Sequence, residues 1–194
     1  MSRTLRTLFI VLVLSSCGVA SFSPPRNLDN ACSILSQRPA FHRAFQATKR
    51  KWGVPVHVQM ATIHQESRFK SNAKTPMKYA LGVIPLGRVS SAYGYAQALD
   101  GTWDDYRKST GRIFAKRNDI YDAADFMGWY MNNSKQKLGL SLSDTRNQYL
   151  VYHEGQTGYS RGTYKRKRWL MDVSNKVARR ADMYRGQLER CNKT

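Results

Sequence analysis

The residues best placed to do chemistry lie in three short stretches: His64-Gln65-Glu66-Ser67, Gly94-Tyr95-Ala96-Gln97 and Tyr152-His153-Glu154-Gly155. The first carries the sharpest signal. Val56, Met60, Ile63 and Ser67 recur at helical three-and-four spacing. Glu66 therefore stands at the end of a mostly apolar helix, just before the polar exit Ser71-Asn-Ala-Lys74. Half burial against that helix disfavours the charged carboxylate. A raised pKa then makes a glutamate a proton donor near neutral pH. The plainer reading of the same stretch is a glutamate capping an exposed helix end. Metal chemistry has less to stand on. His57 and His64 are seven apart, and no His-x-x-x-His or Cys-x-x-Cys spacing occurs, so neither a metal nor a cofactor is expected. A serine nucleophile would need a partnered histidine and aspartate, and no Gly-x-Ser-x-Gly elbow is expected.

The elements that must position these stretches read as helices. Phe41, Ala44, Phe45, Thr48 and Trp52 share one face of a helix from Pro39 to Trp52, which Gly53 stops. Lys49, Arg50 and Lys51 fall in its last turn, where positive charge suits the helix dipole. Pro55 opens the Glu66 helix. Residues 70 to 92 differ: Pro76, Gly82, Pro85 and Gly87 are interleaved with Tyr79, Leu81, Val83, Ile84 and Leu86. That composition predicts an irregular or hairpin-like lip to a cleft, or a plain packed loop. Asp100 or Thr102 starts a further helix, Asn118 or Asp119 caps one from Ile120 to Lys137, and Ser143-Asp144 starts one that Gly155 breaks. A last helix covers about Lys167 to Arg190. The expected fold class is mainly α, as a single domain.

The chain carries a net charge of +19 over 194 residues, which implies an acidic partner without specifying a fold. Arg3 and Arg6 precede the apolar run Leu8–Leu14, which is too short to span a bilayer. A signal peptide over residues 1–16 is expected. Leu14-Ser15-Ser16-Cys17 resembles a bacterial lipobox, which makes Cys17 a lipidated first residue; an ordinary signal cut at Ala20 or Ser21 is the competing reading. Loss of the leader leaves 30 basic residues against 13 acidic ones, a net +17. Gly18 leans toward outer-membrane sorting. Residues 17–31, with Pro24-Pro25, read as a lipidated end and tether, and residues 32–194 as the domain. Cys32 and Cys191 then remain as an even pair in an oxidising compartment. A bridge between them closes nearly the whole domain and contributes roughly 5 kcal/mol in the loop-entropy picture.

The ordered trio of stretches resembles the lysozyme-like lytic transglycosylases of the soluble-lytic-transglycosylase (SLT) type. Their pattern is a Glu-Ser pair, then Gly-Leu-Met-Gln, then Ala-Tyr-Asn-Ala-Gly. The resemblance spans about residues 40 to 165 and implies a lysozyme-like helical domain with a substrate cleft. It implies Glu66 as sole acid and base on peptidoglycan, with Ser67 orienting it or the substrate. Gln97 would line the sugar cleft, Gly94 would allow close backbone approach, and Tyr152 would bring its hydroxyl near Glu66. Tyr95 and Ala96 replace Leu and Met, which would reshape the pocket. His153 stands where Asn is usual. Glu154 replaces a small residue, and three roles stay open for it: an outward surface carboxylate, a contact for a cationic stem-peptide end, or a second carboxylate permitting hydrolysis.

The expected activity is therefore lytic cleavage between N-acetylmuramic acid and N-acetylglucosamine to give 1,6-anhydro ends. A hydrolytic muramidase and a non-catalytic wall-binding lipoprotein are the alternatives. The expected partners are peptidoglycan and, through Cys17, the membrane. The basic run Arg161–Arg168 has a nucleic-acid-like composition, but export removes that partner and leaves a cationic face suited to peptidoglycan carboxylates or anionic lipid heads.

Overall fold

The computed structural model describes residues 23–194. The expected leader and the expected lipidation at Cys17 fall outside the described residues. Among the described residues, seven helices, one 3-10 turn and one hairpin follow in order: α1 (Ala31–Gln37), α2 (Pro39–Trp52), α3 (Val56–Ser67), β1 (Met77–Ala80), β2 (Ile84–Arg88), α4 (Asp100–Thr110), α5 (Ile120–Leu138), α6 (Thr145–Ser160), a 3-10 turn (Thr163–Arg166) and α7 (Arg168–Arg190). The fold is mainly α, as the periodicity requires.

Helix α3 runs through the middle. Val56, Val58, Gln59, Met60, Ala61, Thr62 and Ile63 are all buried, so its surroundings are protein on nearly every side. It packs on α7, while α2 packs on α5. Buried Gln59 is stitched to the Phe45 and Val54 carbonyls, at 3.0 and 2.8 Å, which ties α3 to α2. The helix stops abruptly after Ser67. Arg68 and Phe69 both take left-handed backbone, at φ 50° and 61°. Each is an uphill conformation for a residue with a Cβ. Phe69 holds it by burying its ring against Phe41, with centroids 5.8 Å apart. Glu66 is thus delivered at a helix end whose exit path is fixed by a core aromatic.

The second motif forms a tight loop. Gly94 has φ 80°, and a Cβ there would sit 2.1 Å from the Arg117 carbonyl oxygen. The close approach expected at this glycine is therefore to the protein's own backbone. Tyr93 bridges to both Lys74 and Ala98, so the hairpin stem is continuous with this loop. In the third motif Gly155 breaks α6, with φ 75° and ψ 160°, immediately after Glu154.

Two expectations about the ends are settled differently. Cys32 and Cys191 are bonded to each other, as their even count suggested. The stretch read as a free tether is, from Ser23 onward, docked on the domain. Arg26 and Gln37 exchange hydrogen bonds, Tyr184 and Arg180 donate to the Leu28 carbonyl, and Gln187 donates to that of Asp29. Polar side chains of α7 hold it, a pattern that proline-rich composition does not reveal.

Candidate active site

Glu66 opens into a pocket of about 310 Å³ lined by Thr75, Ala92, Gln97, Leu99, Tyr152 and His153. A second pocket shares Gln97, Leu99, Tyr152 and His153 and continues to Phe126, Tyr130 and Glu154. A third, of about 710 Å³, shares Thr102, Tyr130 and Gly155 with the second and reaches Trp129 and Asn133. Chained in this way they make one elongated groove with Glu66 at one end. Such a groove suits a polymer better than a small metabolite.

Glu66 as a residue is half-buried, and protein packs closely around its carboxyl group. Burial pushes its pKa up to about 7, and a hydrogen bond from the Tyr149 hydroxyl only partly opposes that rise. At neutral pH the group is therefore divided between acid and base forms, which is the condition for giving a proton and taking one back.

Tyr149 is the residue that sequence reasoning missed. It is 4 % exposed and sits on α6 one turn before Tyr152. The resemblance assigned the hydroxyl near Glu66 to Tyr152. That hydroxyl donates to the Ala96 carbonyl at 2.6 Å and still feels the charge of Glu66, whose pocket Tyr152 lines, while the hydrogen bond to Glu66 comes from Tyr149. The i, i+3 spacing of the two tyrosines, which places both on one helix face, is the signal that could have found it. Burial raises both phenols far above their usual range, and the nearby Glu66 charge adds to the effect, so both stay protonated donors.

Other expected residues divide. Gln97 lines the groove as expected, and its amide nitrogen donates to the Ala73 and Gly94 carbonyls at 3.0 and 2.8 Å. It is a strut of the loop as well as a wall. Ser67 is buried and donates to the Ile63 carbonyl of its own helix at 3.2 Å. Tyr95 does not shape the pocket: it is 8 % exposed and packs edge-on against Phe41, at 5.6 Å. His153 is exposed at the groove and stands edge-on to the exposed ring of Trp169 at 5.1 Å.

Glu154 is not the outward carboxylate that seemed the simplest reading. Its side chain is 4 % exposed. It accepts from Lys167 at 2.7 Å, from Thr163, and meets His153 at 3.2 Å. Burial alone would raise its pKa, but these three partners outweigh that and lower it. It clamps the broken end of α6 to the 3-10 turn and α7.

Two other features lie apart from this groove. A pocket of about 340 Å³ between α3 and α7 is lined by Ala61, His64, Gln65, Lys176 and Arg179 and has no carboxylate on its wall. Gly158-Tyr159-Ser160-Arg161-Gly162 fits the Gly-x-Ser-x-Gly pattern of serine hydrolases, a match the sequence reading passed over. It lies at the end of α6 and not on a strand-to-helix turn, so it builds no nucleophile elbow.

No curated protein matches this chain. The family model of the transglycosylase SLT domain matches residues 5–191, nearly its whole length, and implies transglycosylase-like activity on peptidoglycan. The helical scaffold, the groove and that match agree, and the chain belongs to the transglycosylase SLT domain family.

Proposed function

We propose that the protein is a peptidoglycan lytic transglycosylase in which Glu66 is the only acid and the only base. The carrying observation is that Glu66, with a pKa near 7, is the carboxyl group on the pocket beside Tyr152 and His153, whereas Glu154 is tied up in an ion pair. Protonated Glu66 gives its proton to the glycosidic oxygen as the bond from muramoyl C1 breaks. The departing sugar leaves with a hydroxyl. The substrate's N-acetyl group stabilises the positive charge at C1, so no second carboxylate is needed. The muramoyl C6 hydroxyl oxygen then bonds to C1, and its proton passes to the Glu66 carboxylate. The acid is regenerated and no water is consumed. Proximity favours this intramolecular attack over water.

The leader-like run before Cys17 and the lipobox-like Leu14–Cys17 support a periplasmic location, lipid-anchored to the outer membrane, as part of this proposal. The groove's length suits a glycan strand, and the net charge suits its acidic stem peptides.

Digestion of purified sacculi with product mass spectrometry tests the reading. The expected products carry 1,6-anhydro ends, and Glu66→Gln reduces their release by more than about a thousandfold while sacculus binding persists. Products of hydrated mass instead make the protein a muramidase. Saturable binding with no product makes it a wall-binding lipoprotein.

A further inference from the structure

The hairpin β1–β2 is the most apolar exposed feature among the described residues. Leu81 is 91 % exposed, Val83 75 % and Leu86 65 %, with Tyr79 and Ile84 each just over half exposed. The eight residues Ala80-Leu-Gly-Val-Ile-Pro-Leu-Gly87 contain no polar side chain. Exposed apolar clusters of this kind mark something that covers them. Register tells what shape the cover must have. Ala80 pairs with Ile84 and Tyr79 with Pro85, and cross-strand partners share a face. Ile84 and Leu86 therefore lie on one face, Tyr79 and Pro85 on the other, and Leu81 and Val83 at the tip. Both faces are apolar. A globular partner dries one face of a hairpin, whereas hydrocarbon surrounds all of it. A glycan asks for hydrogen-bonding groups and flat rings, and the tip offers one tyrosine.

The charges agree. No acidic residue occurs between Glu66 and Asp100, while Lys70, Lys74, Lys78 and Arg88 all fall there. Lys78 and Arg88 flank the base of the apolar tip, one on each strand. Two strand rises separate Lys78 from Ala80 and four separate Arg88 from Ile84, so the tip projects roughly 7 to 13 Å beyond its cations. That matches the depth at which amphipathic elements enter the acyl boundary while Lys and Arg stay at the headgroups. We propose that the β1–β2 hairpin inserts into the surface of an anionic lipid bilayer, with Leu81 and Val83 among the acyl chains and Lys78 and Arg88 at the phosphates. This goes beyond the catalytic reading and does not depend on it, because the tip lies outside the groove walls.

The test is local, so that the N-terminal leader does not confuse it. In the full chain bearing Cys17→Ser, Leu81→Cys gives a single free thiol, since Cys32 and Cys191 are bonded. It is labelled with an environment-sensitive fluorophore and mixed with vesicles of phosphatidylcholine and phosphatidylglycerol. The expected result is a blue shift at this site and quenching by acyl-chain nitroxides, with neither at a control label from Lys135→Cys on α5. Lys78→Gln with Arg88→Gln, or vesicles without phosphatidylglycerol, weaken the binding by about tenfold or more. A label that stays in water while the protein floats with vesicles overturns the proposal. So does equal insertion into neutral vesicles, or a blue shift without lipid that rises with protein concentration, which would mark a second copy as the occupant. Sacculus digestion by the Leu81→Cys protein stays at its starting rate and reports the catalytic reading separately.

Discussion

Two carboxyl groups buried in the same helical bundle behave in opposite ways. Asp125, on α5, has a side chain 10 % exposed. It accepts from Lys51 at 3.0 and 3.1 Å, from the Trp52 indole at 2.8 Å and from the Tyr106 hydroxyl at 2.7 Å, with the Arg112 guanidinium 3.7 Å away. Burial would raise its pKa, yet this shell of donors and cations reverses the sign and lowers it. Glu66 has one donor, Tyr149, and its pKa climbs to about 7. Enclosure alone does not decide a carboxyl's behaviour. The number and charge of its partners do. Asp125 is a locked structural anion joining α2, α4 and α5, and Glu66 is left under-partnered and titratable.

Exchanging charge for its neutral isostere breaks the comparison most directly. Asp125→Asn takes the charged acceptor from the Trp52 indole, the Tyr106 hydroxyl and Lys51, while Arg112 keeps Asp122. Its expected cost is about 3 kcal/mol, a fall in melting temperature of roughly 6–12 °C, with activity per folded molecule retained. Glu66→Gln does the reverse: it abolishes activity and stabilises the fold. The sign follows from the raised folded pKa. Below about pH 4.5 the carboxyl is protonated in both folded and unfolded chains, so the substitution changes little. Between there and pH 7 the unfolded chain ionises while the folded one resists, and wild type loses stability. Above 7 the full difference, about 3 kcal/mol, favours Glu66→Gln. Thermal melts at pH 4 and pH 8 check it; equal gains at both pH values would dissolve the contrast with Asp125.

Much of this molecule was readable before its structure, and the unread parts share a reason. Helix α2 has the bounds Pro39–Trp52 that its apolar face and Gly53 predict, and α5 and α7 fall within a residue of expectation. Such signals are local. Helix α1 escaped because seven residues hold too little periodicity, although Asn30 caps it by accepting from the Ser33 amide. The hairpin was foreseen only as one of three shapes, since Pro85 and the register shift at Lys78/Tyr79 spoil strand alternation. At the site, Glu66 was legible because a helix end and an apolar face are both local. The partners of Asp125 come from three separated segments, and no spacing announces them. Tyr95 and Tyr152 were assigned from motif columns rather than from packing: the first is turned into the core, and the second has its hydroxyl on the Ala96 carbonyl while Tyr149, three residues earlier, bonds to Glu66.

A smaller change sharpens the comparison by making Glu66 still less like Asp125. Tyr149→Phe removes the one donor opposing the rise in its pKa. The alkaline limb of the pH–rate profile, where the proton donor is lost, should move up by about one unit, and kcat should fall about tenfold because the ionised intermediate loses its hydrogen bond. Tyr152→Phe, which removes a hydroxyl that donates to the Ala96 carbonyl and not to Glu66, should leave that limb in place. An unmoved limb in Tyr149→Phe would mean that burial alone sets the pKa of Glu66.

The smallest effect is expected at the other carboxylate of the groove, and it bears hardest on the one-carboxylate mechanism. Glu154 resembles Asp125 more than Glu66: it is enclosed, faces Lys167 at 2.7 Å, and is held below its usual pKa. It therefore stays ionised through the range where Glu66 titrates, which rules out proton donation. Lys167, Thr163 and His153 already occupy its oxygens, which leaves little basicity for activating water. Glu154→Gln should change kcat by less than about threefold, leave the alkaline limb unmoved, and yield the same 1,6-anhydro ends. Half-exposed Lys167 is resolvated easily, so the stability cost should be about 1 kcal/mol. A loss of a hundredfold or more, or a shift in the ratio of anhydro to hydrated products, would give Glu154 a place in the chemistry. The scheme would then need two carboxylates, with the α6 clamp as a catalytic support and not merely a structural one.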